Sequence, residues 1–288
     1  AAAVMRRFAT PVDVDVDGLT DIVGTGGDGA STFNVSTAAS FVAAAGGVRM
    51  AKHGNRSVSS RSGAADVLEA AGCRLDLSAD QATQLIKALG IGFLFAPQHH
   101  SAMRHAIGPR RALGCWSLFN LLGPLTNPAK APNQVLGVFS PERVGPMAEA
   151  MKQLGGRHVL VVSSEDGLDE ISPNAPTHVA ELKDGVVKQY TLSPESLGLV
   201  AQPLDGLSVA GPEESLAMVR AVLSGQGTAP AGQIVAMNAG AALYVSGQAP
   251  TIEQGIERAL EIIASGAAWA LLERYAQATQ QATQSVEG

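Results

Sequence analysis

Three short stretches of this chain concentrate groups that bind anions and metals. The first is Gly24-Thr25-Gly26-Gly27-Asp28, followed by Thr32, Asn34, Ser36 and Thr37. Glycines let backbone N–H groups approach an anion without a β-carbon in the way. Hydroxyls and an amide at the start of a helix add donors where the helix dipole favours negative charge. Phosphate is the chemistry this suits; the bland alternative is a tight turn before a helix. Read literally, Gly24-x-Gly26-x-x-Gly29 also matches a dinucleotide fingerprint. That fingerprint needs an acid about 20 residues on, where Met50, Ala51, Lys52 and His53 stand instead. No Gly-Lys-Ser/Thr occurs, which argues against a nucleoside-triphosphate loop.

The second stretch is Lys52-His53-Gly54-Asn55-Arg56-Ser57-Val58-Ser59-Ser60. Two cations, an amide and three hydroxyls make a poor core and a good diphosphate cradle; the alternative is a solvated loop. The third is Asp166-Gly167-Leu168-Asp169-Glu170. Neighbouring carboxylates repel unless they share a cation, and such oxygens suit Mg²⁺, which often pairs one or two carboxylates with substrate phosphates. A polar turn is the competing reading. Arg110 and Arg111 could fork onto a carboxylate or simply be solvated. His99, His100 and His105 lack a cysteine or carboxylate to complete a zinc set.

These stretches must be held by elements that alternate in kind. Short β-branched runs at 21–24, 48–52, 91–96, 134–139 and 158–163 predict strands. A further pair, 177–183 and 186–192, predicts a hairpin about Asp184-Gly185. Helical periodicity is expected at 36–45, 63–71, 79–89, 141–154, 212–224, 231–245 and 252–280, with Ser265-Gly266 positioned to break the last. Ser78 and Gln81 form a capping box. This alternation predicts an α/β fold with a central, mostly parallel sheet. Residues 98–125 interrupt it and read as two short helices separated near Gly114. Residues 1–20 and 98–125 are therefore expected to form a small helical domain, and 21–97 with 126–288 the large α/β domain.

The 288 residues are 46% apolar, enough for a sizeable core, and 32 of them are glycine, which implies many tight turns. Net charge −6 disfavours nucleic acid or a membrane surface as partner. Yet residues 49–61 carry Arg49, Lys52, Arg56, Arg61 and His53 without one acid, a basic island fitted to a small anion. Cys73 and Cys115 alone imply no disulfide framework. No apolar run approaches membrane-span length and residues 1–7 lack a signal-peptide core; a cytoplasmic location is expected. Residues 1–7 read as the last turns of a helix.

Gly-Thr-Gly-Gly-Asp at 24–28, Asn-Val-Ser-Thr at 34–37, Lys-His-Gly-Asn-Arg at 52–56, Leu-Phe-Asn-Leu-Leu-Gly-Pro-Leu-Thr-Asn-Pro at 118–128 and Asp-Glu at 169–170 together resemble the anthranilate phosphoribosyltransferase family. The resemblance spans nearly the whole chain, in order. It implies transfer of phosphoribose from phosphoribosyl diphosphate (PRPP) to the amine of anthranilate in tryptophan synthesis, with release of diphosphate. The implied fold is a small helical domain beside a large α/β domain, and the implied assembly a homodimer. By the same resemblance, Gly24, Gly27, Asp28, Thr32, Asn34, Val35, Ser36, Thr37 and the run Lys52, His53, Gly54, Asn55, Arg56, Ser57, Val58, Ser59, Ser60 hold PRPP, with Ala64 where relatives often have a PRPP-touching serine. Gly24, His53, Asn55, His100, Arg110 and Pro124 would meet anthranilate, and Ser36, Asp169 and Glu170 magnesium. The family's first helices are expected to lie before residue 1.

No acid–base residue is nominated. Anthranilate's amine is uncharged at neutral pH, so positioning and stabilisation of the departing diphosphate would supply most of the acceleration. Two rivals remain: a pyrimidine nucleoside phosphorylase of the same fold, which would use inorganic phosphate without the acid pair, and a non-enzymatic relative that binds nucleic acid.

Overall fold

The computed structural model describes residues 1–27, 29–57, 60–101 and 118–284. Seven strands form one sheet: β1 Thr20–Gly24, β2 Met50–Gly54, β3 Ile91–Phe95, β4 Asn133–Gly137, β5 His158–Ser164, β6 Thr177–Lys183 and β7 Val186–Leu192. Their order is β3-β2-β1-β4-β5-β6-β7. The first five run parallel, while β6 and β7 are the antiparallel hairpin that the sequence predicts. All seven expected strands exist. The largest shift is in β2, which starts later and runs on past Lys52 through His53 and Gly54.

The sheet positions the site through its topology. Chain direction of winding reverses between β1 and β4, and in an open parallel sheet ligands bind beyond the carboxyl ends of strands at such a switch point. The loops after β1, β2 and β5 carry the three predicted stretches, and all leave the sheet at that end.

The helix Val35–Ala45 packs behind β1. It is built mostly of alanine, valine and phenylalanine, and nine of its eleven residues are buried. The helix Ala229–Val245 is apolar all round and lies in the same core. The long C-terminal pattern breaks where expected: Ile252–Ser265 ends at Gly266, whose φ of 71° caps the turn, and Ala267–Gln284 follows. The capping box holds too, with Gln81 N donating to Ser78 Oγ at 3.2 Å and Ser78 N to Gln81 Oε1 at 2.8 Å.

Around the expected helical domain, helices Ala2–Phe8, Ala96–His99 and Leu118–Leu122 are described, followed by a 3₁₀ turn Gly123–Leu125. Arg6 joins them to the rest, its Nε donating to Leu125 O at 2.7 Å and its Nη1 to Leu154 O at 3.0 Å. The break near Gly114 falls outside the described residues. Among the described residues no helix is long and apolar enough to cross a membrane.

Candidate active site

A cavity of about 600 Å³ opens at the carboxyl end of the sheet. Of the predicted residues, Gly24, Thr32, Asn34, Val35, Ser36, Lys52, His53, Gly54, Asn55, Arg56, Ser57, Ser60, Ala64, His100, Pro124, Asp169 and Glu170 line it. Thr37 does not; it is buried and its Oγ1 donates to Asn34 Oδ1 at 2.6 Å. Gly27 lies outside the lining and is exposed, with φ 88°. Asp28, Val58, Ser59 and Arg110 lie outside the described residues, as do Arg111 and His105.

Asp169 is seated on the sheet itself. Gly24 of β1 pairs with Gly137 of β4. A β-carbon on Gly24 would overlap the Asp169 carboxylate, and one on Gly137 would overlap its backbone oxygen. The paired glycines thus open a slot that brings a β5-loop carboxylate to the mouth of the glycine loop. Gly26 N then donates to Asp169 Oδ2 at 2.8 Å, and Thr25 N to Gly137 O at 3.0 Å. Two loop amides expected to cradle phosphate therefore hold the acid and the neighbouring strand. Burial pushes the Asp169 carboxyl upward, opposed by the Gly26 N–H and by Glu170.

Lys52 is not on a surface loop. Strand β2 carries it under the cavity floor, where it is 2% exposed. Its Nζ donates to Ile22 O at 2.8 Å and to Ser36 Oγ at 3.2 Å. Burial lowers its ammonium to about 8, while Asp21 and then Glu170 pull it back up. Two of its three N–H donors are committed, leaving one for a ligand.

His53 belongs to a buried network that the sequence did not single out. Its Nδ1 lies 2.6 Å from Asp21 Oδ2 and its Nε2 3.0 Å from Gly123 O. Asp21 also accepts from His53 N at 3.1 Å and from Asn127 Nδ2 at 2.8 Å. Asn127 reaches Ala51 O as well, at 2.8 Å. Both ring nitrogens of His53 are thus engaged, one against the Asp21 carboxylate and one against the Gly123 carbonyl.

Asn34 fastens the start of the helix Val35–Ala45 to the segment after the second loop, its Nδ2 donating to Ser62 O at 3.0 Å. The Arg56 guanidinium meets Glu69 twice, at 2.7 and 2.9 Å, and Asp66 at 3.1 Å, and lies 5.8 Å from the Phe95 ring centre. Glu69 first, then Asp66, raise its pKa further. His100 is 8% exposed, with no partner for Nε2 among the described residues. Burial first, then His53 and His99, lower it to about 4. No group of three or more His, Cys, Asp or Glu side chains that could hold a metal occurs among the described residues.

Residues 17–269 match the family described as Glycosyl transferase family, a/b domain. The anthranilate phosphoribosyltransferase of Hahella chejuensis is 57% identical over 279 residues, covering 96% of this chain and 81% of the relative. That of Halorhodospira halophila is 56% identical over 286 residues, covering 99% and 83%. This chain belongs to the anthranilate phosphoribosyltransferase family. Among solved members, the Thermus thermophilus enzyme superposes with a TM-score of 0.92 at 48% identity, covering 97% of this chain and 83% of that one. The Saccharomyces cerevisiae enzyme in complex with PRPP and Mg gives 0.88 at 33% identity, covering 98% and 79%.

Within the family frame, the residues that sequence reasoning missed are Asp21, Asn127, Gly137 and Asp66. Asp21 had a usable signal, an acid inside a short apolar strand. Gly137 had none, since its need arises only when β4 pairs with β1.

Proposed function

We propose that this chain transfers the phosphoribosyl group of PRPP to the amine of anthranilate and releases diphosphate. The observation that carries it is the seating of Asp169 at the mouth of the glycine loop, in one cavity with Lys52, Ser36 and Asn55. Acid, buried ammonium and hydroxyl together suit a magnesium-bound diphosphate and little else.

Asp169, Glu170 and Ser36 offer the oxygen donors that Mg²⁺ prefers. Bound there, Mg²⁺ would neutralise charge on the diphosphate as it leaves. Lys52 has one N–H left for the same anion, and the start of the helix Val35–Ala45 would add its dipole. Asn55, Ser57 and Ser60 approach from the second loop. The C1–O bond to diphosphate breaks as anthranilate nitrogen attacks the sugar carbon, and the amine then loses its proton. Asn55, His100, Pro124 and Arg110 form the anthranilate side, and Arg110 pairs with its carboxylate. His53, held between Asp21 and Gly123 O, orients the Gly123-Pro124 wall.

Around the α/β body, the described helices Ala2–Phe8, Ala96–His99 and Leu118–Leu122 serve as parts of the small helical domain. The exposed Val4, Phe8 and Leu118 on it support burial in a homodimer. A phosphorylated substrate that does not cross membranes supports a cytoplasmic location. Mixing the chain with PRPP, Mg²⁺ and anthranilate should extinguish anthranilate fluorescence, with diphosphate appearing in equal amount. Folded protein that leaves the fluorescence intact would remove the assignment.

A further inference from the structure

One carboxylate ties both flanks of the second loop together. Asp66 is the third residue of the helix Ala64–Ala70, and its Oδ2 accepts from Gly63 N at 2.9 Å, the reciprocal half of a capping box. The same oxygen accepts from Ser57 N at 3.0 Å, across the loop. Its Oδ1 takes Arg56 Nη1 at 3.1 Å. The chain crosses itself here closely enough that a β-carbon on Gly63 would overlap Ser57 N and lie 2.7 Å from the Arg56 carbonyl carbon. Ala65 N adds a bond to Asn55 O at 3.3 Å. Asn55, Ser57 and Ser60, which these bonds flank, line the cavity.

We infer that Asp66 is a positioning residue for phosphoribosyl transfer, fixing the flanks of the second loop so that Asn55, Ser57 and Ser60 meet PRPP already ordered. This rests on the PRPP reading above. A carboxylate that accepts two backbone N–H groups from opposite flanks holds Ser57 and Gly63 at a fixed separation. The ordering cost is then met in folding rather than in binding. Arg56 works in the same clamp. Its guanidinium is turned to Asp66, Glu69 and Phe95 and stabilises the Asp66 carboxylate in place.

The test compares Asp66→Asn, Asp66→Ala and Glu69→Gln in the full chain with Mg²⁺, PRPP and anthranilate. Asp66→Ala should raise KM for PRPP about tenfold and Asp66→Asn less, with KM for anthranilate and kcat each within about twofold. Glu69→Gln removes only the exposed arm of the clamp and should leave KM for PRPP within about twofold. Amide exchange at Ser57 and Gly63 should quicken about tenfold in Asp66→Asn, while Leu68 in the same helix keeps its protection. An unchanged KM for PRPP in an active enzyme would overturn the inference. So would equal rises in both KM values accompanied by a lower melting temperature, since a purely structural acid gives that pattern. If the unaltered chain shows no transfer at all, the functional reading fails, and the exchange rates at Ser57 and Gly63 still decide whether the clamp exists.

Discussion

The backbone oxygen of Asp169 occupies the space that a β-carbon on Gly137 would need. Gly137 is not part of the cavity lining, yet it decides whether the acid reaches the glycine loop. Gly137→Ala should therefore cost about 2–4 kcal/mol of stability, because main chain rather than a flexible side chain must move. The fraction that remains folded should lose at least ~10²-fold in kcat/KM as Asp169 is displaced. Urea unfolding and steady-state assays at matched folded concentration check both. An alanine variant with normal unfolding and normal turnover would show that the slot is dispensable.

Asp169→Asn separates the acid's chemical role from its structural one. The amide oxygen can still accept from Gly26 N, so stability should change by less than ~1 kcal/mol. Burial already disfavours the charged carboxyl, so losing that charge does not weaken the fold. Turnover should fall about 10²–10³-fold, and the Mg²⁺ concentration needed for half-maximal rate should rise. Parallel losses of activity and stability would instead make Asp169 a plain turn residue.

Asp21 and His53 form the second buried dependency. Asp21 is fully buried and accepts from His53 twice and from Asn127 once. In Asp21→Asn the new NH₂ group would confront the backbone N–H of His53 at the Oδ1 position or the Asn127 amide at the Oδ2 position. That leaves buried donors facing one another, at a cost of about 2–4 kcal/mol. Since His53 holds Gly123 O through its other nitrogen, KM for anthranilate should rise more than KM for PRPP. A melting temperature unmoved by Asp21→Asn would mean the network carries no weight.

Much of this was legible before any coordinates. Seven strands were marked by β-branched runs, and the switch-point location of the loops follows from parallel order alone. Lys52 and His53 were the exception. A lysine and a histidine read as loop residues, because burying two such groups is costly without partners. The partners lie 16 to 32 residues away, at Ser36, Ile22 and Asp21. Local pattern carries no trace of them. Arg56 shows a related gap: a cation in a basic stretch reads as an anion ligand, and only the fold adds Asp66 and Glu69 as its partners. Gly137 belongs to the same class, since its requirement is created by the register of β1 on β4.

By the resemblance, Ala64 stands where relatives often carry a serine that touches PRPP. Its methyl lines the cavity at the first turn of the helix Ala64–Ala70. Serine is tolerated at a helix start, and its hydroxyl would face the PRPP side. Ala64→Ser should lower KM for PRPP about fivefold, the equivalent of ~1 kcal/mol for one added hydrogen bond, with kcat unchanged. A KM that stays put would place the substrate out of reach of this position.

His100 makes stability depend on acid in a predictable direction. Its folded-state value is about 4, below the ordinary 6.5, because burial and the charges of His53 and His99 oppose protonation. Between those two values the unfolded chain binds the proton and the folded chain does not. The contribution is therefore whole above pH 6.5 and is lost progressively as pH falls toward 4. From 6.5 to pH 5 the window is 1.5 units, equivalent to about 2 kcal/mol at 1.36 kcal/mol per unit. Urea midpoints at pH 7 and pH 5 should differ by that much more in the unaltered chain than in His100→Gln, which has nothing to titrate. His99, also lowered by burial, will keep part of the slope in the variant. Identical pH slopes in the two proteins would mean that His100 takes its proton as readily folded as unfolded.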